Sequence, residues 1–464
     1  MALETDYLVV GAGITGLAFV DELINHSDAH ITIVDKRDAP GGHWNDAYSF
    51  VKLHQPSVFY GVGSTELAPY IIDKSGPNKG FLSLAEGPEI TAYCHRIMRE
   101  RLLPTGRVTY LPLTEYEPEG TLRGLLSGKR EPIRVRKKHV DASYYTNSIP
   151  LTHKRAFKVD ASLTCIPPND LPWRAGSFKH YTVVGAGKTA IDTCLWLVGH
   201  GAPPETITWI IPRDAWFVNR AKVQPGPEFF AEVFGNFADQ RDDLANAASA
   251  QDLALRHEAS GTWLRLDPTI TPSMFHAASM STGELAALRR IPNQVRLGRV
   301  SEITPNIIRL ERGDHPVADE SVIIDCTASA LSPLPLKPVF DHDRITIQML
   351  RFPLLPFSAA LTAFLEANFA DDGEKAQFAN PIPLPNTVDD YLILLKPDMQ
   401  NRLIAGRNPI VRDWMNRSRL DGYSRIANGI DRGDVDKLAI LDRTRTSAKA
   451  AFVNLKRLLA STAC

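Results

Sequence analysis

The chain has 464 residues, 44% apolar and 23% charged, with 52 basic and 53 acidic side chains and a net charge of -1. That length supports two or three domains around a large buried core. The charge balance gives no electrostatic ground for nucleic acid or an anionic membrane as partner. No apolar run approaches the roughly 18 residues that span a bilayer. The opening MALETDYLVVGAG has neither the basic nor the apolar region of a signal peptide, so a cytoplasmic protein is expected. The five cysteines, Cys94, Cys165, Cys194, Cys326 and Cys464, lie far apart in sequence. They give no disulfide framework, no zinc ribbon and no close redox pair, and no metal site is expected.

In chain order, residues 8–10 read as a short buried strand, 14–25 as a helix and 31–34 as a second buried strand. This βαβ order predicts a parallel sheet. A helix is predicted from Pro88 to Leu103, with Ile90, Tyr93, Cys94, Ile97, Met98 and Leu102 on its apolar side and Gly106 at its exit. Residues 108–111 read as another strand, and 122–145 as strand-like pieces of a small antiparallel layer. PPNDLP, at 167–172, reads as a linker. A second βαβ unit follows: a strand at 181–184, a helix at 188–198 and a strand at 207–211. Residues from about 228 to 290 read as a helical, irregular insertion. Strands are predicted at 300–303, 307–310 and 322–325, then a mostly helical C-terminal region with proline-rich connections. The expected architecture is α/β, with two Rossmann-like dinucleotide-binding domains. Residues 1–175 would form the first, 176–330 the second with its helical insertion, and 331–464 the return to the first domain and the helical C-terminus.

Both βαβ units carry a glycine loop. In the first, Gly11, Gly13 and Gly16 form G-x-G-x-x-G between strand and helix. The glycines permit a tight turn, close approach of a pyrophosphate and close helix–strand packing. The helix N-terminus offers unpaired N–H groups to phosphate. Asp35 closes the next strand, where a carboxylate accepts from ribose hydroxyls, and Lys36 follows it. In the second loop, Gly185, Gly187 and Ala190 form the accepted variant G-x-G-x-x-A, with Lys188 and Thr189 in the first helical turn. No acid ends the following strand. Arg213 stands there instead, where a guanidinium suits the 2′-phosphate of NADPH. Asp214, one place later, keeps NADH open, and Arg220 is a second cation nearby. The plainer reading of Arg213 is a solvated arginine after a strand.

Beyond the first acid comes Gly41-Gly42-His43-Trp44. With this turn the sequence resembles the class B flavin-dependent monooxygenases, the group of flavin-containing monooxygenases and Baeyer–Villiger enzymes. Their FAD domain similarly carries a GG-x-W turn. The resemblance spans both glycine loops, this turn and the strand end Asp325-Cys326-Thr327-Ala328. It assigns FAD to the first loop, with Gly42, His43 and Trp44 beside it, and NADPH to the second. Their F-x-G-x-x-x-H signature is absent in its usual form, so the chain reads as a divergent member. In the segment 51–57, Gln55 looks like the counterpart of an asparagine that the flavin-containing monooxygenases place near the flavin. His54 is its neighbour, and both are candidate catalytic residues; the plainer reading of each is a polar loop residue.

The resemblance implies a monooxygenase. NADPH would pass hydride to the flavin, the reduced flavin would meet O₂ to give a C4a-(hydro)peroxyflavin, and oxygen would pass to a small organic substrate. A reductase or dehydrogenase using the same FAD and NADPH is a second reading, and a non-catalytic flavoprotein redox sensor a third. Met274, Phe275 and His276 read as core packing more than as pocket lining. Substrate identity and oligomeric state are not readable from the sequence.

Overall fold

The computed structural model describes residues 3–117, 120–145, 148–328 and 334–462. Cys464 and the domain boundary expected at 330 lie outside the described residues. The first sheet is built on the strand Leu3–Val10. Ile31–Val34 and then Val108–Leu111 pair in parallel on one side of it, and Arg130–Asp141 pairs in parallel on the other. The helix Ile14–His26 connects the first two strands. Its inner face (Leu17, Ala18, Phe19, Val20 and Leu23) is buried in the largest core cluster.

Arg130–Asp141 serves two layers. Its first residues pair antiparallel with Thr121–Gly124, itself in a hairpin with Thr114–Glu117. Its last residues continue the parallel sheet. Only the antiparallel part is anticipated by the sequence. Lys137 and Lys138 disguise the rest, and the buried Lys138 is balanced by Asp372 at 2.6 Å and Glu366 at 3.3 Å, more than two hundred residues away in sequence.

The second sheet is wholly parallel, in the order Asn293–Val295, Ile207–Ile210, His180–Val184, Ser321–Asp325, Thr164–Ile166. Its last strand precedes PPNDLP. The chain therefore changes sheets before residue 164, ahead of the division expected at 175. PPNDLP is a short helical turn that buries Leu171 completely, not a free linker.

The stretch expected as a helical insertion begins with the helices Phe230–Asn246 and Ala250–Ala259 and ends with Thr282–Arg289. Between them lie Trp263–Arg265 and Met274–Met280, which flank Ala215–Asn219 in a three-stranded sheet. Trp263 stacks on Phe275 with centroids 4.4 Å apart, and Met274 and Phe275 are core. A fourth sheet joins Lys158–Val159, Val300–Ile303, Ile307–Leu310 and Gly313–Pro316.

The chain then returns. Arg344–Thr346 pairs in parallel with Arg130–Asp141 and extends the first sheet. Leu355–Asn368 packs on Ile14–His26. Trp414 donates from Nε1 to Glu22 at 2.6 Å, and the Arg419 guanidinium donates to the carbonyls of Val58, Tyr60, Val62 and Thr65. The long helix Val435–Thr462 lies on Phe230–Asn246, held by Arg443 to Asp239 and Asp242. No helix among the described residues is long and apolar enough to cross a membrane.

The helix predicted from Pro88 is present as Gly87–Arg96 with a wider turn, Ile97–Leu102, and all six side chains of its predicted apolar face are buried. A reciprocal Glu86/Glu89 capping box starts it, and Gly106 ends the run in the left-handed conformation.

Candidate functional site

Both glycine loops sit at the C-terminal ends of parallel strands, each opening a helix. Ile14–His26 starts on Gly13 and Lys188–Gly199 on Gly187. Neither N-cap supplies a side-chain acceptor, and neither first turn contains an acid. Five other helices are closed by their own cap side chains, Ser249, Ser281, Asp371, Thr387 and Asn408, while Phe230–Asn246, Leu355–Asn368 and Ser424–Asn428 also start without one, on Phe229, Leu354 and Tyr423 rather than on a glycine loop after a parallel strand. The two glycine-capped helices thus present donors and a positive dipole end with no internal anion to answer them.

In the first loop a Cβ on Gly16 would fall 2.0 Å from the Gly11 carbonyl oxygen, so only glycine lets this helix lie so near its strand. Asp35 is buried, and its two oxygens accept from the backbone: Oδ2 from Ala12 at 2.6 Å and Oδ1 from Arg37 at 2.8 Å. The carboxylate thereby fixes the loop while each oxygen retains a lone pair for another donor. On the next strand the Tyr110 hydroxyl is buried with no partner. Lys36 is turned to the surface, where it pairs with Glu115 at 2.7 Å.

The GG-x-W turn folds back over this loop. Gly41 N–H donates to the Ala12 carbonyl at 2.9 Å, and a Cβ on Gly42 would stand 3.1 Å from Gly13 Cα. Trp44 donates from Nε1 to the Tyr60 hydroxyl at 2.9 Å, and its ring lies 4.9 Å from that of His43. Burial depresses His43 to about 4, which keeps this imidazole neutral at physiological pH.

The second loop is locked differently. The Trp209 indole donates to the Gly185 carbonyl at 2.8 Å, and a Cβ on Gly185 would sit 2.5 Å from the Cys326 carbonyl oxygen. Gly187, by contrast, has no atom of the described residues beyond its chain neighbours within 4 Å of where a Cβ would stand. Here the missing side chain leaves open space, as a ligand's approach requires. Arg213 donates to Asn386 at 3.4 Å and has no carboxylate partner among the described residues. Asp214 is held by Arg296 at 3.1 Å with its side chain almost buried, so this acid is committed to the protein interior. His276 also bonds Asn386, at 2.9 Å.

His54 and Gln55 lie on the first-half segment that crosses to the second loop. His54 Nδ1 is buried without a partner. Burial first, then the nearby Lys188 and Arg220 cations, hold the imidazole well below its ordinary value, so it is neutral. The Gln55 amide makes no hydrogen bond among the described residues. Arg220 is 1% exposed. It pairs with Glu284 at 2.8 Å and donates to Asn78 at 3.1 Å and the Ser279 carbonyl at 3.2 Å, while its Nε has no partner. Ser279 in turn donates from Oγ to the His54 carbonyl.

Sequence reading misses Tyr48 and Asp192. The Tyr48 hydroxyl donates to Asp192 Oδ2 at 2.8 Å, and Lys188 donates to Asp192 Oδ1. The spacing of Lys188 and Asp192, one helical turn apart, was a readable signal; nothing local marks Tyr48. Cys94, Cys165, Cys194 and Cys326 are free thiols, and among the described residues no cluster of three metal-ligating side chains occurs.

Residues 9–62 match the model of the NAD(P)-binding Rossmann-like domain family. The uncharacterized protein Rv2000 of Mycobacterium tuberculosis is 42% identical over 419 residues, covering 90% of this chain and 78% of its own length. The uncharacterized protein Mb2023 of Mycobacterium bovis matches to the same extent. Among solved structures, the open form of cyclohexanone monooxygenase superposes with a TM-score of 0.50 at 13% identity, covering 97% of this chain and 99% of that one. At that identity the likeness is one of fold.

Proposed function

The chain belongs to one family with the mycobacterial proteins Rv2000 and Mb2023 and has a class B flavin monooxygenase-like fold, and from that premise we propose that it is an FAD-dependent, NADPH-using monooxygenase of a small organic substrate. One observation carries the reading: two helices opened by glycine loops after parallel strands, one in each sheet, have no side-chain acceptor at their N-termini among the described residues. The buried orphan hydroxyl of Tyr110 beside the first loop and the open space at Gly187 fit two bound dinucleotides.

Gly11, Gly13 and Gly16 with Asp35 would hold FAD, together with the turn at Gly42, His43 and Trp44. Gly185, Gly187, Lys188 and Thr189 would hold the pyrophosphate of NADPH, and Arg213 would answer its 2′-phosphate. The withdrawal of Asp214 into its pair with Arg296 removes the acid that NADH recognition would use. When bound, FAD supplies the redox chemistry, taking hydride from NADPH and activating O₂. The protein's part is placement and proton control. Neutral His54 presents Nδ1 to donate or accept one hydrogen bond, and Gln55 offers a free amide beside it.

The test is anaerobic mixing of the flavoprotein with NADPH or NADH, followed by labelled O₂ and a panel of amines, sulfides and ketones. NADPH should bleach the flavin faster than NADH, and label should appear in one product class. O₂ uptake that yields only stoichiometric H₂O₂ with every compound would remove oxygenation from the reading. Failure of NADPH to bleach the flavin would remove the enzyme altogether.

A further inference from the structure

The first-half segment 48–55 lies across the helix Lys188–Gly199 of the second. Tyr48 bonds Asp192, the Phe50 ring stacks on Trp196 with centroids 5.2 Å apart, and the Lys52 carbonyl accepts from Lys188 Nζ at 3.3 Å. Residues 188, 192 and 196 are one turn apart and form a single stripe on that helix. At one end this segment continues the turn Gly42–Asp46 that covers the first glycine loop, and at the other it carries His54 and Gln55.

Lys188 is the first residue of the helix. Its ammonium has two acceptors in the structure, Asp192 and the Lys52 carbonyl. A phosphate at the helix N-terminus is a third acceptor, a charged one that faces a positive dipole end. Asp192 is buried and holds one partner from each half of the molecule. Burial raises its carboxyl, and the Lys188 and Tyr48 donors oppose that rise.

We propose that Tyr48, Asp192 and Lys188 couple the two dinucleotide sites: a nucleotide phosphate at the second loop draws Lys188 from Asp192 and Lys52, and so releases the segment that bears His54 and Gln55. The inference rests on the proposed function, since it takes the second loop to bind NADP(H). Asp192 and Tyr48 are positioning residues that act through Lys188. Burial is the main cause of the low His54 proton affinity, and withdrawal of the ammonium removes one of the two cations that add to it. Linkage makes the coupling reciprocal, so whatever orders 48–55 changes nucleotide affinity by the same factor.

The test compares backbone hydrogen exchange in the FAD-loaded protein with and without NADP⁺, at concentrations where calorimetry shows saturation. Exchange within 48–55 should rise severalfold on NADP⁺ binding. Lys188→Met should exchange fast there without nucleotide and show no further rise. Tyr48→Phe, a change that spares the phosphate contacts, should bind NADP⁺ within about threefold of the native protein and lose most of the response. Unchanged or slower exchange in 48–55 of the saturated native protein would overturn the proposal, as would a full response in Lys188→Met. No NADP⁺ binding at all would instead overturn the functional reading and this inference with it.

Discussion

The two glycine loops make different use of their missing side chains. Gly16 is required by the protein: a Cβ there meets the Gly11 carbonyl. Gly187 is required by nothing in the protein. Gly16→Ala should therefore cost about 1–3 kcal/mol of stability through overpacking and impair flavin retention. Gly187→Ala should leave the melting temperature nearly unchanged and weaken NADP⁺ binding, as thermal unfolding and calorimetry will show. Arg213 is a second single-residue test. It has no carboxylate to lose, so Arg213→Gln should leave stability unaltered, raise the KM for NADPH roughly 10–100-fold, the worth of a charged hydrogen bond at about 1.5–3 kcal/mol, and change NADH turnover little. These residues were legible because each sits in a motif of fixed spacing. Asp214 was only half legible: the sequence shows an acid near the strand end but not that Arg296 takes it. Tyr48 was not legible at all, since its partner is 144 residues away.

Among the elements, helix starts divide by purpose. Ser281, Thr387 and Asn408 close their helices with their own oxygens, whereas Gly13 and Gly187 leave the first-turn N–H groups for another acceptor. An aspartate placed in such a turn supplies that acceptor internally. Thr15→Asp should stabilise the flavin-free protein by about 0.3–1 kcal/mol and reduce FAD affinity at least tenfold, so melting temperature and flavin titration should move in opposite senses. A fall in both would show that the N-terminus is not an anion site. The elements legible in the sequence were those whose pattern is settled locally. Ile31–Val34 and Val108–Leu111 lie where their short apolar runs placed them. Two strands hidden within 228–290 escaped, because Trp263 and Phe275 pack on each other and on Tyr391, a residue of a helix more than a hundred positions on. The parallel part of Arg130–Asp141 escaped because its buried lysine is balanced only by the C-terminal region.

For the whole molecule, that balance is shared by Asp372 and Glu366, and Glu366 is the more buried of the two. It accepts from the Tyr7 hydroxyl at 3.0 Å, lies 3.3 Å from Lys138 and pairs with Lys375 at 2.7 Å, all in nearly buried positions. It ties the first strand to a helix 359 residues later. Glu366→Ala removes one of the two carboxylates shared by Lys138 and Lys375, with Asp372 left to both, and should cost about 1.5–3 kcal/mol, the worth of a charged hydrogen bond, read by denaturant unfolding, while the folded fraction retains its NADP⁺ affinity. The return strand Arg344–Thr346 makes the same closure in backbone, and it has a consequence for biosynthesis. The edge of Arg130–Asp141 at residues 139–141 is paired only when residues 344–346 arrive. At the usual roughly 5–20 residues per second of translation, that edge stays unpaired on the order of ten to forty seconds while the second sheet emerges from the ribosome. An open strand edge is a template for pairing with other chains. Lys138 lies next to it, and its partners Glu366 and Asp372 arrive later still, so an unpaired charge stands beside that edge during the interval, a device that disfavours pairing with a second copy. The lysine that hides this strand from a reader of the sequence thus also guards its edge until the chain is complete.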